Sequence, residues 1–340
     1  MKNNSNENFK DALSKDLEKT STPSLFQIKP ANDWIDEAKK RPIPKMLFGS
    51  LWFEGELCIL FADTNLGKSI LAVQIAHSIS SGISTCGMQL EAIQQPVIYI
   101  DFELSDKQFE CRYSDGYEDH FIFNNIFFRA EIETASKIPA KFKSFDEYLY
   151  ESIENAVVQH SSKILIIDNI TYLRNGTEKA NEAVLLMHFL NDLKKKYNLS
   201  ILALAHTPKR DFTKPITKND LSGSKTLINF CDSSFAIGEN FNIKGVRYLK
   251  QIKQRFVENI YGTDNVITCE IFKDINFLKF KFIDFENELN HLKEKTIQNV
   301  TDRNEEIIKL KAEGLSNDAI AKRFGLTEGG IRSILKKVNS

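Results

Sequence analysis

Apolar runs alternate along the chain with stretches whose apolar residues recur at helical spacing. Leu57-Cys58-Ile59-Leu60-Phe61 is a continuous apolar run and predicts a buried strand; Ser69 to Ala76 then carries apolar residues at helical period. Val97 to Ile100 predicts a second buried strand, ending in Asp101 and Glu103. Asp146 to His160 reads as a helix, and Lys163-Ile164-Leu165-Ile166-Ile167-Asp168-Asn169 as the clearest strand of all. Glu178 to Tyr197 is amphipathic, and Ser200 to Thr207 forms a fourth strand with a polar tip. Phe235 to Gly238 and Val246 to Phe256 follow as strands, and Cys269–Phe272 with Phe277–Phe282 alternates around Asp274-Ile275-Asn276 like a hairpin. Strands separated by helices, then a hairpin, predict an α/β fold: a mostly parallel sheet flanked by helices, with an antiparallel edge.

The ends of the chain differ from this middle. Residues 1–24 are rich in Asn, Ser, Lys and Glu and read as a disordered tail. Asp33-Trp34-Ile35 begins a short helix that Pro42 and Pro44 interrupt, so the main domain is expected over 25–285. The Phe-rich stretch 113–145 shows no clear period. A charged helical linker is expected over 286–301 and a small all-α unit over 302–340. In that unit Gly314 breaks one helix, Ser316 caps a second, and Thr327 caps a third. Ile307, Leu310, Leu315, Ile320, Ala321, Phe324, Leu326, Ile331 and Leu335 fall at buried spacing, the pattern of a three-helix helix-turn-helix.

Composition sharpens this only slightly. Hydrophobic residues are 42% and charged residues 27% of 340, with a net charge of −1. No global field draws the chain to nucleic acid, so any basic surface is local. The five cysteines form no C-x-x-C pair and read as reduced, mostly buried thiols of a cytoplasmic protein. The N-terminus has no apolar signal region and no run approaches membrane-span length, so no membrane partner is expected.

The chemistry concentrates at strand ends. Ala62-Asp63-Thr64-Asn65-Leu66-Gly67-Lys68-Ser69-Ile70 joins a strand to a helix, the context in which a loop cradles phosphates with backbone N–H groups. Lys68 would reach the β/γ-phosphates of ATP and Ser69 would hold Mg²⁺. Ala62 stands where the loop pattern begins with Gly, which requires a negative φ there. Asp168, at the end of its strand, would bind Mg²⁺ through water; the competing reading is a cap of the next segment. Glu103 is a candidate general base for the attacking water, against a helix cap for Ser105–Arg112. His206 or Thr207 can sense the γ-phosphate, against a merely hydrogen-bonded histidine. The 208–221 loop carries Lys209 and Arg210, and the last helix carries Arg332, Lys336 and Lys337, suited to phosphates or guanine edges; a protein-docking module competes for the helical unit. The basic run Lys194–Lys196 suits a helix C-terminus rather than DNA.

The order of these motifs resembles RecA-like ATPases, and within them the RepA-type plasmid helicase group and its DnaB-type relatives, over about residues 44–285. Leu47-Phe48-Gly49 resembles that group's entry segment, Glu103 its catalytic glutamate, and Ala205-His206-Thr207 with Lys209 its His-Thr-x-Lys motif. Leu221 to Ser224 resembles the segment after its DNA-facing loop, and Lys253-Gln254-Arg255 its Lys-x-Arg finger pair, which reaches a neighbour's γ-phosphate. Gly314 to Lys336 resembles the helix-turn-helix of resolvase-type and regulator proteins. The resemblance implies an ATP- and Mg²⁺-dependent homo-oligomeric, hexamer-type ring acting on DNA as a replicative helicase or loader of a plasmid or mobile element. Single-stranded DNA would pass the ring and duplex would meet the helix-turn-helix. The alternative is an ATP-controlled DNA-binding regulator without helicase activity.

Overall fold

The computed structural model describes residues 26–133, 138–173, 180–208, 210–221, 224–294 and 297–338. The expected tail, 1–24, lies outside them. The chain divides into two compact units, Met1–Pro44 and Lys45–Ser340. In the first unit, α1 (Ala31–Lys39) has no buried residue. Lys29 pairs with Glu37 and lies over the Trp34 ring there.

The second unit is built on a nine-stranded sheet. After the short pair β1 (Met46–Phe48) and β2 (Trp52–Phe53) come β3 (Leu57–Ala62), α2 (Lys68–Ser81), β4 (Val97–Asp101) and α3 (Asp106–Arg112). The Phe-rich stretch forms a two-residue pair, β5 (Ser114–Asp115) and β6 (Asp119–His120), then β7 (Phe127–Ala130). Next are α4 (Phe145–Gln159), β8 (Ile164–Asp168), a 3₁₀ turn over Ile170–Leu173, α5 (Ala180–Tyr197) and β9 (Ser200–His206). Then follow α6 (Ser224–Phe230), β10 (Ser233–Glu239), β11 (Val246–Lys253), β12 (Val266–Asp274) and β13 (Phe277–Glu286). The sheet order is β13-β12-β11-β10-β3-β9-β8-β4-β7. From β10 to β7 all pairs are parallel, and β11 to β13 add antiparallel strands at one edge. The Phe-rich stretch thus supplies the opposite edge strand, which its irregular pattern did not announce.

Period-2 alternation distributes β3 to both faces. Cys58, Leu60 and Ala62 join a core with α2 and the β12–β13 hairpin, while Leu57, Ile59 and Phe61 join a core with α4 and α5. Burial on both faces is why the central strands are apolar runs rather than alternating ones. Leu51 and Trp52 are core residues, and of the cysteines only Cys111 is exposed.

The charged stretch after β13 is not a free helical linker. It forms a 3₁₀ turn, Glu288–His291, whose end residues are fully buried. Glu288 ion-pairs with Lys250 and accepts hydrogen bonds from Tyr248 Oη and Ile216 N. Its charge was the misleading signal: Glu288 is polar because it pairs, not because it is solvated. Helix α7 (Ile297–Ala312) therefore starts within the expected linker, followed by α8 (Asn317–Phe324) and α9 (Glu328–Val338). Ile307, Leu310, Ile320, Ala321 and Ile331 make a separate small core, with Leu315, Phe324, Leu326 and Leu335 packed against it. Ser316 caps α8 through Ala319 N, and Thr327 accepts from Gly330 N.

Candidate active site

Four strand ends converge. β3 delivers the 62–69 loop, β9 delivers His206, β8 delivers Asp168, and β4 delivers Glu103, all at the carboxyl ends of adjacent parallel strands. That is where an open α/β sheet binds ligands.

Ala62 is the last residue of β3, fully buried and paired in register with His206 and Ile237. It is not among the positive-φ residues, so alanine serves where the loop pattern has glycine. The left-handed turn is made instead by Asn65 at φ +65° and Gly67 at φ +95°. A Cβ on Gly67 would also lie 2.7 Å from Ile271 Cδ1 and 2.9 Å from Phe280 Cζ, so that position admits only glycine. Thr64 and Asn65 are exposed, and Leu66 and Ile70 anchor the loop to the core. Gly67 caps α2 without any side-chain hydrogen bond, which leaves first-turn N–H groups for an anion.

Lys68 is buried, with Nζ donating to Ala62 O at 3.0 Å and Asp63 O at 3.1 Å and lying 3.2 Å from His206 Nδ1. Burial lowers its pKa from the ordinary lysine value, and the carboxylates of Asp168, Glu103 and Asp63 act the other way. Glu103 Oε1 accepts from Asn169 Nδ2 and lies 3.3 Å from His206 Nε2. The hydrogen bond with His206 holds the Glu103 carboxyl below its usual range despite partial burial. A depressed pKa keeps this group ionised at neutral pH, as a base must be. A cleft of about 620 Å³ opens over Glu103, Asn169 and His206, beside the stacked rings of Phe102 and Tyr172.

Asp168 is fully buried and accepts from Tyr99 Oη at 2.6 Å. Burial pushes its carboxyl up to about 6, against the opposing pull of the Ser69 hydroxyl and the Tyr99 hydrogen bond. Its Oδ1 is buried with no hydrogen-bond partner. A buried carboxylate with an orphaned oxygen beside a serine hydroxyl fits Mg²⁺, which takes one or two carboxylates and completes its shell with substrate phosphates.

Other expected contacts are placed elsewhere. Arg210, expected at the DNA surface, has a side chain only 4% exposed: Nε lies 3.5 Å from Asp63 Oδ2, and the guanidinium covers the Phe212 ring. Thr207 Oγ1 also donates to Asp63, so the phosphate loop is held from the 207–221 segment. Lys209 lies outside the described residues. Arg332 pairs with Glu328 at 2.8 Å, Arg323 with Glu306 and Lys322 with Asp318, which reduces the free positive charge of the helical unit. Lys336 is exposed, and the Lys337 side chain is not described.

Strand β11 ends at Lys253, so Arg255 lies beyond the expected alternation. Both residues grip the end of α6: Lys253 Nζ donates to Ile228 O and Cys231 O, and Arg255 donates to Asn229 O at 3.1 Å and Asp232 Oδ1 at 3.3 Å. Cations suit a helix C-terminus. Asp232 also accepts from Leu57 N, at the start of β3, while the phosphate loop leaves its end. The two sites are thus separated by the length of β3, about 17 Å at 3.3 Å per residue.

A family model described as an AAA domain matches residues 22–211, more than half of the chain. The chain belongs to the AAA domain family. This is a family of P-loop ATPases, and its match spans the phosphate loop, Glu103, Asp168 and His206. No curated protein matches the chain. Asn169 is the residue that sequence reading missed here. It stands beside Asp168 in the clearest strand, but nothing in the residue pattern says that its amide meets Glu103.

Proposed function

We propose that this AAA-domain protein hydrolyses ATP with Mg²⁺ and acts on DNA as a ring-forming helicase or loader of a plasmid or mobile element. The observation that carries the hydrolase reading is the meeting of Lys68, Glu103 and His206 within hydrogen-bond reach, with Asp168 on the strand between them. The loop N–H groups and Lys68 bind the phosphates, Ser69 and Asp168 hold Mg²⁺, and Glu103 takes the proton of the attacking water. Mg²⁺ supplies charge neutralisation on the phosphate oxygens. His206 bridges Lys68 and Glu103 and so responds to a γ-phosphate that draws Lys68 away. No described helix is long and apolar enough to cross a membrane.

DNA action rests on the three-helix unit and its exposed α9. The alternative, an ATP-controlled DNA-binding regulator without helicase activity, gains from Arg210, since a loop arginine tied to Asp63 belongs to the nucleotide site. Glu103→Gln should keep ATP binding and lower turnover about 10²–10⁴-fold. Wild-type turnover in that variant refutes Glu103 as the base. DNA-stimulated hydrolysis with strand displacement separates helicase from regulator.

A further inference from the structure

We propose that Asn169 is the positioning residue of this site: its carboxamide anchors one oxygen of Glu103 and leaves the other to face the attacking water. The inference rests on the ATP-hydrolysing reading and adds a part to it.

Asn169 follows the last residue of β8, and β8 lies between β9 and β4 in the sheet. A side chain one step beyond β8 therefore stands between His206 and Glu103. Asn169 is 6% exposed, so water does not serve its amide. Its Oδ1 accepts from Thr171 N at 2.8 Å, which fixes which end of the amide looks into the site. Turned over, the amide oxygen would face the Glu103 carboxylate, and two acceptors would meet. As it stands, Nδ2 donates to Glu103 Oε1 and lies 3.0 Å from His206 Nε2. With its proton on Nε2, His206 donates to the same Oε1 and its Nδ1 accepts from Lys68. Among the described residues both donors to Glu103 fall on Oε1, and the side chain is 38% exposed, towards the cleft. Two donors on one oxygen fix the plane of the carboxylate. They leave Oε2 to accept from water, the geometry a general base needs. Asn169 also makes the local turn through Thr171, so a purely structural role is the competing account.

Asn169→Ser separates the two. A serine hydroxyl can keep the turn to residue 171 but is too short to reach Glu103. The full chain carrying Asn169→Ser or Asn169→Ala is assayed for ATP turnover, for ATP binding, and for thermal unfolding. Both variants should bind ATP as wild type does and lose about 10- to 100-fold in kcat, the range of one charge-assisted hydrogen bond. In a Glu103→Gln background, Asn169→Ser should cost no further turnover, because it acts through Glu103. Wild-type kcat in Asn169→Ser, a loss confined to ATP affinity, or an equal loss in the Glu103→Gln background each overturns the inference. Absence of ATP hydrolysis in the wild-type chain overturns the hydrolase reading instead, and this inference with it.

Discussion

Asp168→Asn should stabilise the nucleotide-free protein at neutral pH while destroying its Mg²⁺-dependent function. Asp168 is fully buried, and burial raises its carboxyl from 3.8 to about 6. That difference corresponds to about 3 kcal/mol held against the carboxylate above pH 6. The sign follows from proton binding. Between pH 3.8 and about 6 the folded state holds this proton more tightly than the unfolded chain, so stability falls as pH rises through that window. Asparagine removes the charge and with it the pH-dependent part. It also puts an NH₂ in place of the unpartnered Oδ1, with the amide oxygen keeping the Tyr99 hydrogen bond, and burying that donor unpaired is a penalty that does not depend on pH. Comparing variant with wild type at two pH values cancels this penalty. By the same linkage about 2 kcal/mol of the variant's advantage at pH 7.5 should vanish at pH 4.5. The assay is chemical denaturation of both proteins in EDTA without nucleotide. Adding Mg²⁺ and ATP at about 100 times Kd should stabilise wild type by about 2.7 kcal/mol and the variant by less. An advantage that stays constant with pH, or grows towards acid, refutes the claim that buried charge dominates Asp168.

Arg210→Ala should weaken ATP binding about tenfold, because Asp63 would then present an uncompensated carboxylate beside the triphosphate; Asp63→Asn in the same chain should restore it. Unchanged ATP binding with lost DNA binding would return Arg210 to the DNA surface. Arg255→Ala should leave stability nearly unchanged, since its pair with Asp232 is half exposed. In the ring reading it loses about 10³-fold or more in turnover, and mixing with Lys68→Ala subunits recovers part; full activity alone, or no recovery despite co-assembly, rules out the shared site. A chain ending after Glu294 should keep its ATPase fold. One ending after Glu286 leaves Lys250 buried without Glu288 and should lose about 3–5 kcal/mol in denaturation; equal stability of the two would mean that the pair is not a structural anchor.

The sequence by itself determined the elements whose signal is local. Residues 57–61, 97–100, 164–167 and 201–205 are apolar runs because both faces of those strands are covered, so each could be placed from its own residues. The phosphate loop and the capped helices around Ser316 and Thr327 were legible for the same reason: their turns are made by residues adjacent in the chain. Tertiary structure alone decided what depends on partners far apart in sequence. β7 pairs with β4 through main-chain bonds that a mixed Phe-rich pattern does not encode. Glu288 looked like solvated linker until Lys250, Tyr248 and Ile216 closed around it. Arg210 looked like a free cation until Asp63, far upstream, was placed against it. Asn169 carries no sequence signal of its own, since an amide shows its role only through what its two ends touch. A charge or an amide is ambiguous in sequence because its free energy is set by its neighbours, whereas an apolar run is set by leaving water, whichever neighbours cover it.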